Sequence, residues 1–279
     1  MSEDLKQHWR DELELFYVPE DISVDWVQLD FEDGYEKYGR DGIIFTGLNG
    51  ASEASPLKGY FDNSYACIRG ALDSISFDWP EFVRGVDEIK INNLVSNIED
   101  IAKLDAAEYV KVKVLNFDDI DTVKKVRDTC GPSTKIRIDC NGSFEIDDAL
   151  KVLDSLKACD LEFVEQPCST NEENADLRKK TETLIALDES ANSREDIDEI
   201  QTLEAADLIV VKVQTAGGIF SALDIVDQWG KDFVISSMME TNVGIDLGFA
   251  LARSVPELKY ACGLSESPIN NVIREPLYS

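Results

Sequence analysis

Histidine is almost missing from this sequence: of its 279 residues only His8, near the N-terminus, is a histidine. Mechanisms that depend on a buried catalytic histidine are therefore nearly excluded. The six cysteines are scattered without a CxxC pair, which favours reduced thiols over a disulfide framework or a zinc site. No stretch approaches the roughly 18 consecutive apolar residues that a membrane helix needs.

Positive charge is also scarce, because 27 Lys and Arg residues face 56 Asp and Glu residues, for a net charge of −29. Such an acidic chain repels nucleic acids and anionic membranes, so neither is an expected partner. We assign most of the carboxylates to a solvated surface. A saline or otherwise unusual cytoplasm could select such a surface, but the sequence does not say whether it does. The polar start at residues 1–6 does not resemble a signal peptide, so we expect a cytoplasmic protein. The sequence leaves open whether the protein is a monomer or a homo-oligomer.

Short apolar runs alternate with amphipathic stretches from about residue 86 onward. Several runs are rich in Val and Ile, as buried parallel strands are. The eight runs are 89–91, 109–115, 135–138, 161–164, 184–187, 208–213, 233–235 and 258–262. This pattern predicts an α/β fold with a compact parallel, TIM-like (β/α)7β barrel over residues 86–266. We expect residues 1–85 to form a small α+β capping domain, completed by the tail at 267–279.

Charged residues end several of these apolar runs at regular intervals. Lys113, Asp139 and Glu165 follow one another at steps of 26 residues, and Asp188 and Lys212 continue the series at steps of 23 and 24. Each step has the length of one βα unit, so each residue falls at the same level of the next strand. Active sites of β/α barrels lie at the C-terminal ends of the strands, where these five charges are expected to converge.

Three carboxylates on successive strands suit a hard divalent cation, so we expect Mg²⁺, with Mn²⁺ as a possible substitute. Lys111 and Lys113 share one face of their strand because side chains alternate. Two neighbouring ammonium groups and a metal ion lower a lysine pKa toward the range of a general base. Lys212 would face the same cavity from the other side. Metal and lysine together suit removal of a proton beside a carboxylate, as in enolase-type sites.

The motifs around these charges resemble those of a known family. They are Lys111-x-Lys113, Asp139-Cys140-Asn141, Glu165-Gln166-Pro167, Asp188-Glu189-Ser190 and Lys212. The set is similar to the muconate-lactonizing-enzyme branch of the enolase superfamily. The mandelate racemase branch uses a histidine late in the barrel, which this chain lacks. Within the branch, the chain most resembles the o-succinylbenzoate synthases of menaquinone biosynthesis.

The resemblance implies a role for each matching position. Asp139, Glu165 and Asp188 would bind Mg²⁺; Lys113 would be the base, Lys111 its electrostatic partner and Lys212 the group that stabilises the enediolate. Asn141 and Glu189 would orient these groups. The substrate would be met by Arg137, Ser236, Ser237 and the backbone amide of Gly244, the last at a helix N-terminus.

The implied reaction is dehydration of 2-succinyl-6-hydroxy-2,4-cyclohexadiene-1-carboxylate to o-succinylbenzoate. An N-acylamino acid racemase or dipeptide epimerase would use the same five charges. A non-catalytic acidic binding protein is a third possibility, and it predicts a broken site position that the sequence does not show. Residues 46–56 (TGLNGASEASP) are expected to form a loop that shapes specificity. Glu240 either enters the cavity or lies exposed on a loop.

Overall fold

Two β-sheets organise the protein. The computed structural model describes residues 2–31, 40–48, 50–75, 88–104, 106–265, 267 and 269–278. The predicted domain boundary at residues 85 and 86 lies outside these ranges, as does Asn49 of the predicted specificity loop. No helix within the described ranges is long and apolar enough to cross a membrane.

The strands are β1 (Ser23–Phe31), β2 (Arg40–Gly47), β3 (Gly50–Ala54), β4 (Asn93–Val95), β5 (Tyr109–Lys113), β6 (Lys135–Asp139), β7 (Leu161–Glu165), β8 (Ile185–Leu187), β9 (Leu208–Lys212), β10 (Phe233–Ser236) and β11 (Ile269–Pro276). The α-helices are α1 (Ser2–Leu13), α2 (Ser64–Ile75), α3 (Ile120–Cys130), α4 (Ile146–Ser155), α5 (Asn171–Arg178), α6 (Arg194–Leu203), α7 (Val213–Ala216), α8 (Ile219–Trp229) and α9 (Asn242–Ser254). Short 3₁₀ helices occupy Ile98–Lys103, Phe117–Asp119 and Lys157–Cys159.

The smaller sheet is antiparallel, with the strand order β11-β1-β2-β3. Its alternating side chains form two apolar faces, as expected of strands covered on both sides. One face packs on α1 and α2 around Trp26 and Ile68, and the other carries Val27 and Leu29 against Val243 of the barrel. We call β1–β3, β11, α1 and α2 together the cap.

The larger sheet is parallel, and its strands follow chain order from β4 to β10. The segment at Cys262 and Gly263 joins its two edges: the Asn92 amide donates to the Cys262 carbonyl at 3.0 Å, and the Gly263 amide donates to the Ile235 carbonyl at 2.8 Å. These bridges close the sheet, and the predicted barrel with a separate small α+β layer is confirmed. The first strand lies at Asn93–Val95, slightly beyond the predicted run at 89–91.

The barrel has apolar layers on both sides of its sheet. Outward-facing residues such as Val112 and Ile138 pack beneath the helices. The interior is filled by a smaller cluster: Phe163, Ala186, Leu208, Val210, Val234 and Tyr260. The interior is therefore a packed core rather than a pore, and it supports the charged groups at the strand ends. All six cysteines are free thiols, as their scattered positions indicate.

Added salt is expected to stabilise this protein, because 56 acidic residues against 27 basic ones make the folded chain repel itself. Raising KCl from about 0.1 M to 1 M shortens the Debye length from about 10 Å to about 3 Å. We expect the unfolding free energy to increase on the order of 2 kcal/mol, or about 4–8 °C in Tm. Thermal unfolding followed by circular dichroism measures this effect. A flat Tm across the series contradicts it, and a smaller effect near pH 4.5, where many carboxylates are protonated, is the control.

Candidate active site

The charged residues at the strand ends converge because the parallel strands pair in register. Lys113 pairs with Asp139 between β5 and β6, and Asp139 pairs with Glu165 between β6 and β7. Asp188 follows the last residue of β8, and Lys212 ends β9. The spacing of one βα unit thus places these side chains at one edge of the barrel.

A chain of ion pairs connects the first half of this cluster. Lys111 Nζ lies 2.7 Å from Glu165 Oε1 and 2.9 Å from Asp139 Oδ2. Lys113 Nζ lies 2.7 Å from the same Asp139 Oδ2. Both carboxylates are only 1% exposed. The two lysines therefore share one face of β5, as their alternation predicts, and both neutralise buried carboxylates.

The close packing of these charges shifts their pKa values. Burial acts to raise the pKa of Asp139, but the attraction of Lys111 and Lys113 outweighs it and the net shift is downward. Burial and the Asp139 charge raise the pKa of Glu165 to about 8. Burial lowers the pKa of Lys111, yet the pull of Asp139 and Glu165 raises it overall. The two carboxylates therefore determine the direction of the pKa shift at Lys111.

The second half of the cluster joins the barrel to the cap. Lys212 Nζ lies 2.5 Å from Asp188 Oδ2. Lys212 also donates to the hydroxyl of Tyr60, which in turn donates to Asp188 Oδ2 at 3.0 Å. The pull of Asp188 outweighs burial, the first influence, and raises the pKa of Lys212. The sequence reasoning missed Tyr60, since it belongs to no motif and lies 128 residues from Asp188 in the chain.

Amide side chains fix the positions of the charged groups. Asn141 Oδ1 accepts from Lys113 Nζ at 2.7 Å, and Asn141 Nδ2 donates to Glu189 Oε1 at 2.7 Å. Gln166 Oε1 accepts from the Asp188 amide at 3.0 Å. Asn141 and Gln166 adopt φ values of 43° and 39°, a left-handed conformation that turns the chain sharply after each strand. Both residues thus stand in strained turns that aim them at the site.

The carboxylates fit a hard cation. Asp188 Oδ1 and Glu189 Oε2 are buried without a hydrogen-bond partner, and an orphaned carboxylate oxygen is favourable only beside a positive charge. Oxygen donors alone suit Mg²⁺ better than softer metals. As the described side chains stand, no three acidic, Cys or His residues form a metal cage. The Lys212 ammonium group binds the other oxygen of Asp188, Oδ2, and the Lys111 ammonium group binds one oxygen each of Asp139 and Glu165.

Three of the predicted substrate contacts have protein partners here. The guanidinium of Arg137 is fully buried, one layer deeper than Asp139, and donates to the Ala261 carbonyl at 2.8 Å and to Glu162 Oε2 at 2.6 Å. The hydroxyls of Ser236 and Ser237 donate to the Gly263 carbonyl at 3.4 and 3.1 Å, beside the seam that closes the barrel.

The helix N-terminus that was expected to bind substrate already binds an anion of the chain itself. The Gly244 amide, in the first turn of α9, donates to Glu53 Oε2 at 3.0 Å. The amide and hydroxyl of Thr241 donate to the same carboxylate, as does Ser55 Oγ at 2.5 Å. Glu53 is 1% exposed. A helix N-terminus favours an anion, as the prediction assumed, but the anion bound here is a carboxylate of the cap.

The segment 46–56 also differs from the expected loop. Its residues belong mainly to β2 and β3, and Glu53 lies on β3. Glu240, which sequence reasoning left open, is 3% exposed and accepts from the Met238 amide at 2.6 Å. Burial raises the pKa of Glu240, against the opposing pull of Arg40. Glu240 is therefore a buried group beside the cap rather than an exposed loop acid.

Comparison with known proteins gives two consistent results. The model of the family described as "Enolase C-terminal domain-like" matches residues 93–277. The o-succinylbenzoate synthase of Thermobifida fusca is 37% identical over 239 residues, which cover 81% of this chain and 74% of that protein.

Solved structures share the fold at lower sequence identity. The L-Ala-D/L-Glu epimerase of Bacillus subtilis, in a substrate-liganded complex, superposes with a TM-score of 0.76 at 19% identity, covering 90% of each chain. The dipeptide epimerase of Cytophaga hutchinsonii, complexed with Mg and the dipeptide D-Ala-L-Val, gives a TM-score of 0.73 at 17% identity, covering 86% of each chain. At such identities the likeness shows a common fold.

Proposed function

Because the chain belongs to the Enolase C-terminal domain-like family, we propose that it is a Mg²⁺-dependent dehydratase that forms o-succinylbenzoate from 2-succinyl-6-hydroxy-2,4-cyclohexadiene-1-carboxylate. The resemblance predicted from the motifs is confirmed by the relative of that name at 37% identity. The observation that carries the proposal is the pairing of Lys113, Asp139 and Glu165 in register at the edge of the barrel, with Lys212 across from them.

The metal site of this proposal consists of Asp139, Glu165 and Asp188. When bound, Mg²⁺ supplies the positive charge that makes an enediolate of the substrate carboxylate accessible. The free Oδ1 of Asp188 supports this assignment.

Lys113 is the proposed base. Lys113 takes the proton from the ring carbon that bears the carboxylate, and Asn141, whose Oδ1 lies 2.7 Å from the Lys113 Nζ, positions that nitrogen. The hydroxyl on the neighbouring ring carbon then departs. This hydroxide and the abstracted proton make up the water that is lost, and the ring becomes aromatic. Lys212 holds a positive charge beside the enediolate from the opposite side.

Racemisation or epimerisation of an N-acylamino acid or dipeptide is the second candidate. Lys113 on β5 and Lys212 on β9 are separated by three strands of the barrel, so one can remove a proton that the other returns from the opposite face. The epimerase structures share the fold at 19% identity or less, whereas the synthase relative is 37% identical, and this difference favours dehydration. A binding protein without activity is disfavoured, because all five charged positions are intact.

Removal of Mg²⁺ is expected to abolish turnover. In purified protein with the cyclohexadiene substrate, EDTA should lower the rate of ultraviolet absorbance change by at least about 100-fold, since metal stabilisation of the enediolate supplies several kcal/mol. Excess Mg²⁺ should restore the rate, and Mn²⁺ should replace it in part. Folded, metal-loaded protein that leaves the diene unchanged would contradict the dehydratase. Deuterium incorporation into dipeptides or N-acylamino acids in D₂O would then identify the second candidate.

A further inference from the structure

The turn that joins β3 and α2 of the cap contributes Tyr60 to the charged edge of the barrel. We propose that Tyr60 is a positioning residue of the active site, which fixes the position of the Lys212 ammonium group relative to the Asp188 carboxylate. The proposal rests on the function proposed above and deepens it, because it makes a cap residue part of the machinery. Tyr60 makes hydrogen bonds to both charged groups and lies in a turn that backbone hydrogen bonds close.

The hydroxyl of Tyr60 stands between two buried charges. It accepts a hydrogen bond from Lys212 and donates one to Asp188 Oδ2 at 3.0 Å. The Lys212 Nζ lies 4.5 Å from the centroid of the Tyr60 ring, at its hydroxyl end. One hydroxyl therefore joins a buried cation to a buried carboxylate.

Lys212 needs such a partner, because it is only 6% exposed and Asp188 only 2%. Buried charges are stable only when their hydrogen-bonding groups are satisfied. Asp188 and Tyr60 take two of the three N–H groups of Lys212, and the third has no partner among the described residues. That third N–H group is available to bind a negatively charged group of the substrate. Because the other two N–H groups are held by Asp188 and Tyr60, the direction of the third is fixed.

The backbone around Tyr60 holds the hydroxyl in place. Leu57 and Phe61 exchange backbone hydrogen bonds of 3.0 and 2.8 Å around it, which closes a tight turn. Leu57 is itself buried at 6% exposure. The phenol therefore extends from an anchored turn rather than from a free loop, and the turn determines where Lys212 sits.

A second lysine–tyrosine pair, outside the active site, provides a matched control. Lys90 Nζ donates to the hydroxyl of Tyr109 at 3.0 Å and lies 5.4 Å from its ring centroid, with Glu108 as the carboxylate partner at 3.4 Å. The Lys90 side chain is 51% exposed. A lysine, a tyrosine and a carboxylate thus meet in solvent, away from the proposed metal ligands. Tyr109→Phe is the control for loss of a Lys–Tyr hydrogen bond in general.

The test compares Tyr60→Phe, Tyr60→Leu and Tyr109→Phe with the unaltered protein. Tyr60→Phe keeps the ring and removes both hydrogen bonds, each to a charged group, so kcat is expected to fall about 10- to 100-fold. KM should change less than about 3-fold, because the proposed partner of Lys212 is the enediolate, whose charge develops only after the substrate has bound. Tyr60→Leu, which removes the ring as well as the hydroxyl, should lower kcat at least as far. Tyr109→Phe should keep the full kcat.

A second measurement does not depend on turnover. Calorimetric titration of Mg²⁺ without substrate should show an affinity about 10-fold weaker in Tyr60→Phe, since an oriented ligand loses its partner, and no change in Tyr109→Phe. Unchanged Mg²⁺ affinity together with unchanged kcat would overturn the proposal. A Tm loss in Tyr60→Phe that accounts for the whole fall in activity would also overturn it, as a general packing role. If the unaltered protein does not dehydrate the diene, the proposed function fails, while the titration still decides the role of Tyr60.

Discussion

Replacing Lys113 with alanine is expected to lower kcat about 10³-fold, within the range that a positioned general base supplies. Lys113 lies 2.7 Å from both Asp139 Oδ2 and Asn141 Oδ1, so its nitrogen is held at the edge of the proposed metal site. No other described group stands in this place, because Lys111 is paired with Asp139 and Glu165 deeper in the site. Steady-state absorbance measurements with saturating Mg²⁺ test the expectation.

The control for this substitution is Lys135→Ala. Lys135 begins β6, at the opposite end of the strand from Asp139, and it is exposed. Its loss should leave kcat within about 2-fold, as surface substitutions usually do. Both variants should keep the circular dichroism spectrum of the unaltered protein. A Lys113→Ala variant that retains a tenth or more of the activity, with metal bound, would mean that another group removes the proton.

The sequence was most informative where structure repeats locally. Lys113, Asp139 and Glu165 could be placed together from their spacing, because adjacent parallel strands pair in register and each βα unit has a similar length. The barrel closure could be anticipated for the same reason, since eight apolar runs recur along the chain. These features depend on neighbours in sequence, which pattern reasoning can read.

Contacts between the cap and the barrel could not be read in this way. Tyr60 and Lys212 are 152 residues apart, and Glu53 and Gly244 are 191 apart. Nothing in the local pattern of either segment specifies the partner. The small residues around Glu53 resemble a loop in the sequence, yet in the structure they let β3 approach α2 and α9 closely.

The depth at which Arg137 lies inside the barrel could not be predicted from the sequence either. Arg137 shares a strand face with Asp139, as alternation requires, but two residues along a strand correspond to about 6–7 Å. That displacement takes the guanidinium from the cavity into the packed interior, where it lies over the Phe163 ring at 4.6 Å. Side-chain alternation predicts on which face of the strand a residue lies. How deep the residue lies in the barrel depends on how far other side chains fill the interior.

Replacing Glu53 with alanine is expected to destabilise the protein by about 3–5 kcal/mol, the usual cost of removing one partner from a buried, hydrogen-bonded charge. The variant leaves the amides of Thr241 and Gly244 and the hydroxyl of Thr241 without their acceptor in the interface. Unfolding in urea, followed by fluorescence and circular dichroism, gives the free energy. The unfolding free energy of Glu53→Gln should lie between those of Glu53→Ala and the unaltered protein, since the glutamine amide oxygen still accepts one or two of these hydrogen bonds.

The exposed Glu14, in the same layer of the protein, is the control residue, and Glu14→Ala should change the unfolding free energy by less than about 0.5 kcal/mol. A loss below about 1 kcal/mol in Glu53→Ala would show that water replaces the carboxylate at the start of α9. The predicted loss has a functional consequence as well. Glu53 fastens β3 to the barrel, and the turn with Tyr60 follows β3 directly, so loosening the first contact should weaken the second. Glu53→Gln is therefore expected to bind Mg²⁺ more weakly even where it remains folded.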